Sequence, residues 1–155
     1  MADAYSTGLR LLGRRELSTR QVRDRLARLG FAPPEVDGAV SRLTRAGALD
    51  DGRVARAFAR TSAAVKGRGP DRVRRELALM GIPAELADAA LTEAFGEVDE
   101  AALLRRALAR KAPRGLGDAR ARRRVFAALV RQGFAPERVL AALRAHGVDD
   151  AIESD

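Results

Sequence analysis

The sequence predicts an all-α fold: three tandem three-helix repeats, about nine helices, stacked into an elongated curved array. Three observations carry the prediction. Apolar residues are 46% of the 155-residue chain, mostly Ala, Leu and Val, while aromatic residues are 4%. Ala, Leu and Arg are strong helix formers, and the aromatic residues that suit a pleated sheet are scarce. A spacing then recurs three times, as Val22-x-x-x-Leu26-x-x-x-Gly30-Phe31, Val73-x-x-x-Leu77-x-x-x-Gly81-Ile82 and Val125-x-x-x-Leu129-x-x-x-Gly133-Phe134. Each copy finally runs through a proline and an acid into a second apolar series. A period of about 50 residues marks a tandem array.

The physics of one unit is simple. Apolar residues at i and i+4 line one helix face. The glycine falls where a helix end turns left-handed, and the apolar residue after it packs back on the last turn. Proline suits the first turn of the next helix, where its missing N–H is no loss.

The first repeat, residues 1–50, opens with an amphipathic segment over Tyr5–Arg15 that turns Leu9 and Leu12 inward. The tight turn Glu16-Leu17-Ser18 leads to the Val22 helix, and Pro33-Pro34 and Glu35 start a third helix bearing Val36, Val40 and Leu43. In the second repeat, residues 51–98, Gly52–Ala64 turns Val54 and Phe58 inward. A longer loop, Ala63–Pro70, carries two glycines and two cations before the Val73 helix; Pro83, Glu85 and Leu86, then Ala90 and Leu91, mark the third helix. The third repeat, residues 99–148, begins at Asp99–Lys111 with Leu103, Leu104 and Leu108 inward. The loop Ala112–Asp118 precedes its Val125 helix, and Pro136, Glu137, Val139 and Leu143 mark the last helix. Residues 149–155 form an acidic tail. Ser18, Asp51, Asp71, Asp99 and Asp118 stand where N-caps or first-turn acids are useful.

No constellation for catalysis stands out. The chain has no cysteine, so disulfides, thiolate metal sites and cysteine nucleophiles are excluded. His146 is the single histidine, so no His pair can hold zinc, and a Ser-His couple has no support elsewhere in the sequence. It is expected to cap or pack near the last helix end. Gly67-Arg68-Gly69-Pro70 lacks the Gly-Lys-Ser/Thr ending of a phosphate loop. The acid pairs Asp50-Asp51, Asp99-Glu100 and Asp149-Asp150 flank helix ends, where capping accounts for them. The reading is a non-enzyme without cofactor, metal or small-molecule substrate. The N-terminus does not resemble a signal peptide, and no apolar run approaches the roughly 18–20 residues that span a bilayer. A cytoplasmic protein that binds no membrane is expected.

Charge supplies the remaining signal. The net charge is +8, and Lys66 and Lys111 are the only lysines. A basic balance favours nucleic acid or an acidic protein surface as partner. Residues 101–148 hold twelve bases against Asp118 and Glu137, the strongest cationic stretch of the chain. Here Arg120, Arg122, Arg123 and Arg124 open the second helix, and Arg131 lies near its end. Arg105, Arg106, Arg110, Lys111 and Arg114 belong to the preceding helix and loop. The middle repeat has its own cluster in Lys66, Arg68, Arg72, Arg74 and Arg75. Arg72 and Arg75, and likewise Arg120 and Arg124, are spaced to share a helix face.

The stretch GALDDGRVARAFARTSAAVKGRGPDRVRRELALMGIPAELADAAL resembles the core of the RecX family, bacterial regulators of the RecA recombinase. The residues that match are Leu49, Asp50, Asp51 and Arg53, then Ala55 and Phe58, then Gly69, Pro70, Arg72, Val73, Glu76, Leu77, Gly81 and Ile82. Leu17-Ser18 and Leu29-Gly30-Phe31 in the first repeat, and Arg131-x-Gly133-Phe134 in the third, extend the resemblance over about residues 5 to 148. Val54 departs from the family pattern, standing where an aromatic is usual. The resemblance implies a protein that binds along the RecA–DNA filament and inhibits its ATPase, strand-exchange and coprotease activities. The basic clusters are assigned as contacts to RecA or DNA by charge and position alone.

Two other readings fit the residues. One is a direct DNA-binding transcription regulator built from helix-turn-helix-like units. Against it, Gln21 and Gln132 are the only amide side chains, and nothing marks a dimer surface that would set half-site spacing. The other is a repeat scaffold whose partner has no role in recombination.

Overall fold

The computed structural model describes residues 2–96 and 99–152. Among them are nine helices and no strand: α1 Ala4–Leu12, α2 Thr19–Arg28, α3 Pro33–Arg45, α4 Asp51–Ala64, α5 Pro70–Leu79, α6 Ala84–Gly96, α7 Glu100–Lys111, α8 Ala119–Gln132 and α9 Pro136–Ile152. The all-α repeat reading holds. Helix α9 takes in the first residues of the acidic 149–155 segment, and 153–155 lie outside the described residues.

The chain divides into two compact units. One comprises residues 1–58 and 76–90, the other residues 59–75 and 91–155. In the first unit α1, α2 and α3 pack around Leu17, Val22, Leu26, Val40, Leu43 and Leu49. In the second, α7, α8 and α9 pack around Leu103, Leu104, Leu108, Leu116, Leu129, Phe134 and Val139. The recurring pairs Val22/Leu26 and Val73/Leu77 are fully buried, whereas Val125 is half-buried beside a fully buried Leu129.

Helix α1 corrects one expectation. Leu9 is 40% exposed rather than inward, and the buried face consists of Ala4, Thr7 and Gly8. A Cβ on Gly8 would lie 2.7 Å from Leu43 Cδ1. Helix α1 therefore meets α3 along its small residues, and that close approach turns Leu9 outward.

The caps follow the sequence with one refinement. Ser18 forms a full capping box with Gln21, and Asp99 and Asp118 accept from the N–H groups of Ala102 and Ala121. Asp3 caps α1 in the same way through Ser6, and that backbone N–H holds its carboxyl below the usual range. At α4 the cap is Asp50, which accepts from Arg53 N–H at 2.9 Å. Asp51 instead accepts the backbone N–H of Thr19 at 2.7 Å and ties the start of α2 to the start of α4.

Candidate cationic cleft

The C-terminal turns of α5 and α8 are built alike, and each carries a docked loop. Gly81 and Gly133 both have positive φ, 80° and 108°, the conformation that ends a helix at no steric cost to glycine. On the Gly81 turn sits the start of α2. Ser18 Oγ donates to the Met80 carbonyl. Arg20 Nη2 donates to the carbonyls of Ala78 and Leu79 at 3.2 and 2.6 Å. That guanidinium adds a donor to carbonyls at the end of α5, of which Ala78 O also accepts the Gly81 N–H at 3.0 Å. This junction consumes its own cation.

On the Gly133 turn sits the loop 66–70. Gly69 N–H donates to Gln132 O at 3.0 Å and Asp71 N–H to Gly133 O at 3.1 Å. Gln132 Nε2 donates to Gly67 O at 2.7 Å. Here the loop backbone meets the helix end. The cations of the loop are directed instead into a cleft of about 410 Å³, lined by Lys66, Arg68, Arg72, Lys111, Arg131, Gln132 and Ala128. Arg110 lies close by, since a Cβ on Gly67 would come 2.8 Å from its Nη2. A second recess of about 310 Å³ shares Lys111 and Ala128 with the cleft. Its other lining residues are Ala112, Gly115, Leu116, Ala121, Val125 and, contributing charge, Arg124.

The structure thus brings together five of the basic residues singled out in the sequence, from a loop and three different helices. Others lie elsewhere. Arg74 pairs with Asp71 at 3.3 Å and Arg105 with Asp99 at 3.7 Å, both exposed ion pairs of small energetic weight. Arg122 lies over Gly147 on α9, where an added Cβ would be 2.9 Å from its Nη2. Arg75, Arg106, Arg114, Arg120 and Arg123 are exposed and line neither recess.

Gln132 is the site residue that charge counting missed. Its signal was present in the repeat: the residue before the turn glycine is Leu29, then Met80, then Gln132. Only the third copy is polar there, and its amide holds the loop. His146, expected near the end of the last helix, lies within α9 with its Nε2 buried. Among the described residues no group of His, Cys, Asp or Glu is placed to hold a metal ion, and no helix is long and apolar enough to cross a membrane.

A tandem array of helix–glycine turn–helix units, with a cleft lined by basic side chains between the loop 66–70 and the helices α5, α7 and α8, defines a helical-repeat protein. Comparison with known proteins gives its family. Residues 4–43 match the first three-helix domain of RecX and residues 50–91 the second. The chain is 38% identical over 143 residues to the regulatory protein RecX of Halorhodospira halophila, covering 92% of this chain and 87% of that one. It is 35% identical to the RecX of Prosthecochloris aestuarii, covering 84% and 85%. The crystal structure of RecX from Lactobacillus salivarius superposes with a TM-score of 0.81 at 16% identity, over 94% of this chain and 95% of that one. A second RecX crystal structure gives 0.79 at 24% identity, over 92% and 70%. The chain belongs to the RecX family of regulatory proteins.

Proposed function

We propose that this protein regulates homologous recombination and DNA repair in the cytoplasm by binding the RecA–DNA filament and inhibiting RecA ATPase, strand exchange and coprotease activity. Membership of the RecX family supports RecA as partner. The observation that carries the reading to this chain is the cationic cleft, where Lys66, Arg68, Arg72, Lys111 and Arg131 face one space. A filament of recombinase on DNA offers carboxylates and phosphates along its length, and such a cleft matches either. Binding of this kind weakens as salt rises.

The test is RecA's single-stranded-DNA-dependent ATPase rate against increasing amounts of this protein at two salt concentrations. Inhibition that is stronger at the lower salt supports the reading. An unaffected rate at both salts, with DNA binding intact by anisotropy, would favour a DNA-binding regulator that acts without RecA.

A further inference from the structure

Helices α2, α5 and α8 end in the same turn. Gly30, Gly81 and Gly133 all have positive φ, and their N–H groups donate to Ala27 O, Ala78 O and Val130 O, each at 3.0 Å. The next residues, Phe31, Ile82 and Phe134, donate to Leu26 O, Leu77 O and Leu129 O. Two of the three turns are covered by the start of another of these helices. The start of α2 sits on the Gly81 turn, where an added Cβ on the glycine would come 2.5 Å from Arg20 Nε. The start of α5 sits on the Gly133 turn, where an added Cβ would come 2.5 Å from Arg72 N. In both, the carbonyl just before the glycine takes a donor from the docked start: Met80 O from Ser18 Oγ, and Gln132 O from Gly69 N–H. Ser18 and Gly69 are accordingly buried.

The same rule leaves one helix end and one helix start over. The end is that of α2. Nothing lies within 4 Å of a Cβ on Gly30. Leu29, in the place of Met80 and Gln132, is 60% exposed, whereas those two are half-buried. Among the described residues no hydrogen bond reaches Leu29 O. A repeat that closes a stack presents a polar outer face, but this turn presents a leucine. The start left over is that of α8. Its N-cap Asp118 is exposed, as are Arg120 and, in the loop ahead of it, Arg114 and Gly117. Helix α8 also begins about a turn earlier relative to Val125 than α2 does relative to Val22. Arg120 follows its cap Asp118 at the same spacing at which Arg20 follows Ser18.

We propose that the start of α8 in one copy docks on the Gly30 turn of a second copy of this chain. The contact repeats between molecules the junction that each molecule uses twice within itself. Arg120 takes the part of Arg20 and donates to the carbonyls of Ala27 and Arg28, which correspond to Ala78 and Leu79. The loop 112–118 covers Leu29. Start and end are different surfaces, so the contact is heterologous and copies add head to tail. It also brings Arg120 towards Arg28, and salt that screens these like charges strengthens it. The sign is opposite to that of binding to an anionic partner. The inference goes beyond the filament reading, and its test needs no RecA.

The experiment is sedimentation velocity of the full chain over a range of protein concentrations at low and high salt. Leu29→Lys blocks the Gly30 turn, and Arg120→Ala removes the donor from the start of α8. Both side chains are exposed, and circular dichroism verifies folding. Leu29→Gln covers the case in which the lysine disturbs the turn. Val65→Lys is the control, because Val65 is apolar, 77% exposed and part of neither surface.

Wild type is expected to form dimers and longer species as its concentration rises, more so at the higher salt. Each variant alone should associate at least about tenfold more weakly, as the loss of a charged hydrogen bond implies, and the control should match wild type. Mixing Leu29→Lys with Arg120→Ala is the decisive arm. The intact α8 start of the first then meets the intact Gly30 turn of the second, so the mixture should recover dimers and nothing longer. A wild type that stays monomeric at every concentration and salt overturns the proposal. So does a mixture that recovers no dimer, or association that weakens as salt rises, since either gives the contact to another face.

Discussion

Gly133 and Arg72 are in such close register that a side chain on the glycine would overlap the arginine. An added Cβ would come 2.5 Å from Arg72 N and closer still to Arg72 Cβ, at a residue whose φ is 108°. Gly133→Ala therefore combines left-handed strain with overpacking against backbone, a loss on the order of 3 kcal/mol. Gly30→Ala is the comparison. Gly30 has φ 93° with nothing within 4 Å of a Cβ, so strain alone applies, about 1–2 kcal/mol. Urea denaturation of both variants measures the difference.

The first junction should respond at Ser18. The residue is fully buried, caps α2 and donates across to the Met80 carbonyl. Ser18→Ala removes the cap, worth about 1 kcal/mol, and leaves that carbonyl without its donor, a further cost of about 1–3 kcal/mol. Ser18→Thr should recover part of the loss in thermal unfolding.

Gln132→Leu tests how the cleft is held. The Gly67 carbonyl loses its 2.7 Å partner, at a net cost of about 1 kcal/mol. Hydrogen exchange at the amides of residues 66–69 should quicken while that of α3 stays unchanged. Unchanged exchange at 66–69 would mean that the backbone bonds to Gln132 and Gly133 suffice.

Acid should loosen the start of α4. The Arg53 backbone N–H holds the Asp50 carboxyl below the usual range, with help from the nearby Arg53 and Arg56 guanidinium groups. Folding thus favours its ionised form. The resulting stability is fully present above the unfolded-state value of about 3.9 and is lost as pH falls through the lower folded value. The Arg53 guanidinium meanwhile pairs with Glu16 at 2.8 Å, which raises its own pKa further. Asp50→Asn keeps a capping side chain but removes this titration, so its denaturation midpoint should depend less on pH in that acid window.

Much of the fold was legible because the repeat encodes it three times. Val22/Leu26, Val73/Leu77 and Leu129 supply the helix spacing, the glycines supply the turns, and of the repeat's prolines Pro33 and Pro136 begin helices while Pro83 stands just ahead of α6. Leu9 was misplaced because periodicity weighs hydrophobicity and does not see that Gly8 lets α1 approach Leu43. The cleft was legible only as a list of cations. Which of them meet depends on the loop 66–70 reaching the end of α8, some 65 residues along the chain, and no local pattern encodes that pairing. Arg74 and Arg68 look alike in sequence, yet one pairs with Asp71 while the other lines the cleft.

Under the proposed function, this cleft holds the RecA–DNA filament. The most direct measurement is co-sedimentation of wild type and of Arg68→Gln/Arg131→Gln with preassembled filaments at physiological salt. The account predicts that wild type pellets with the filament and that the variant, folded by circular dichroism, binds at least about tenfold more weakly, the equivalent of 1.4 kcal/mol. Equal binding of the two proteins would contradict it.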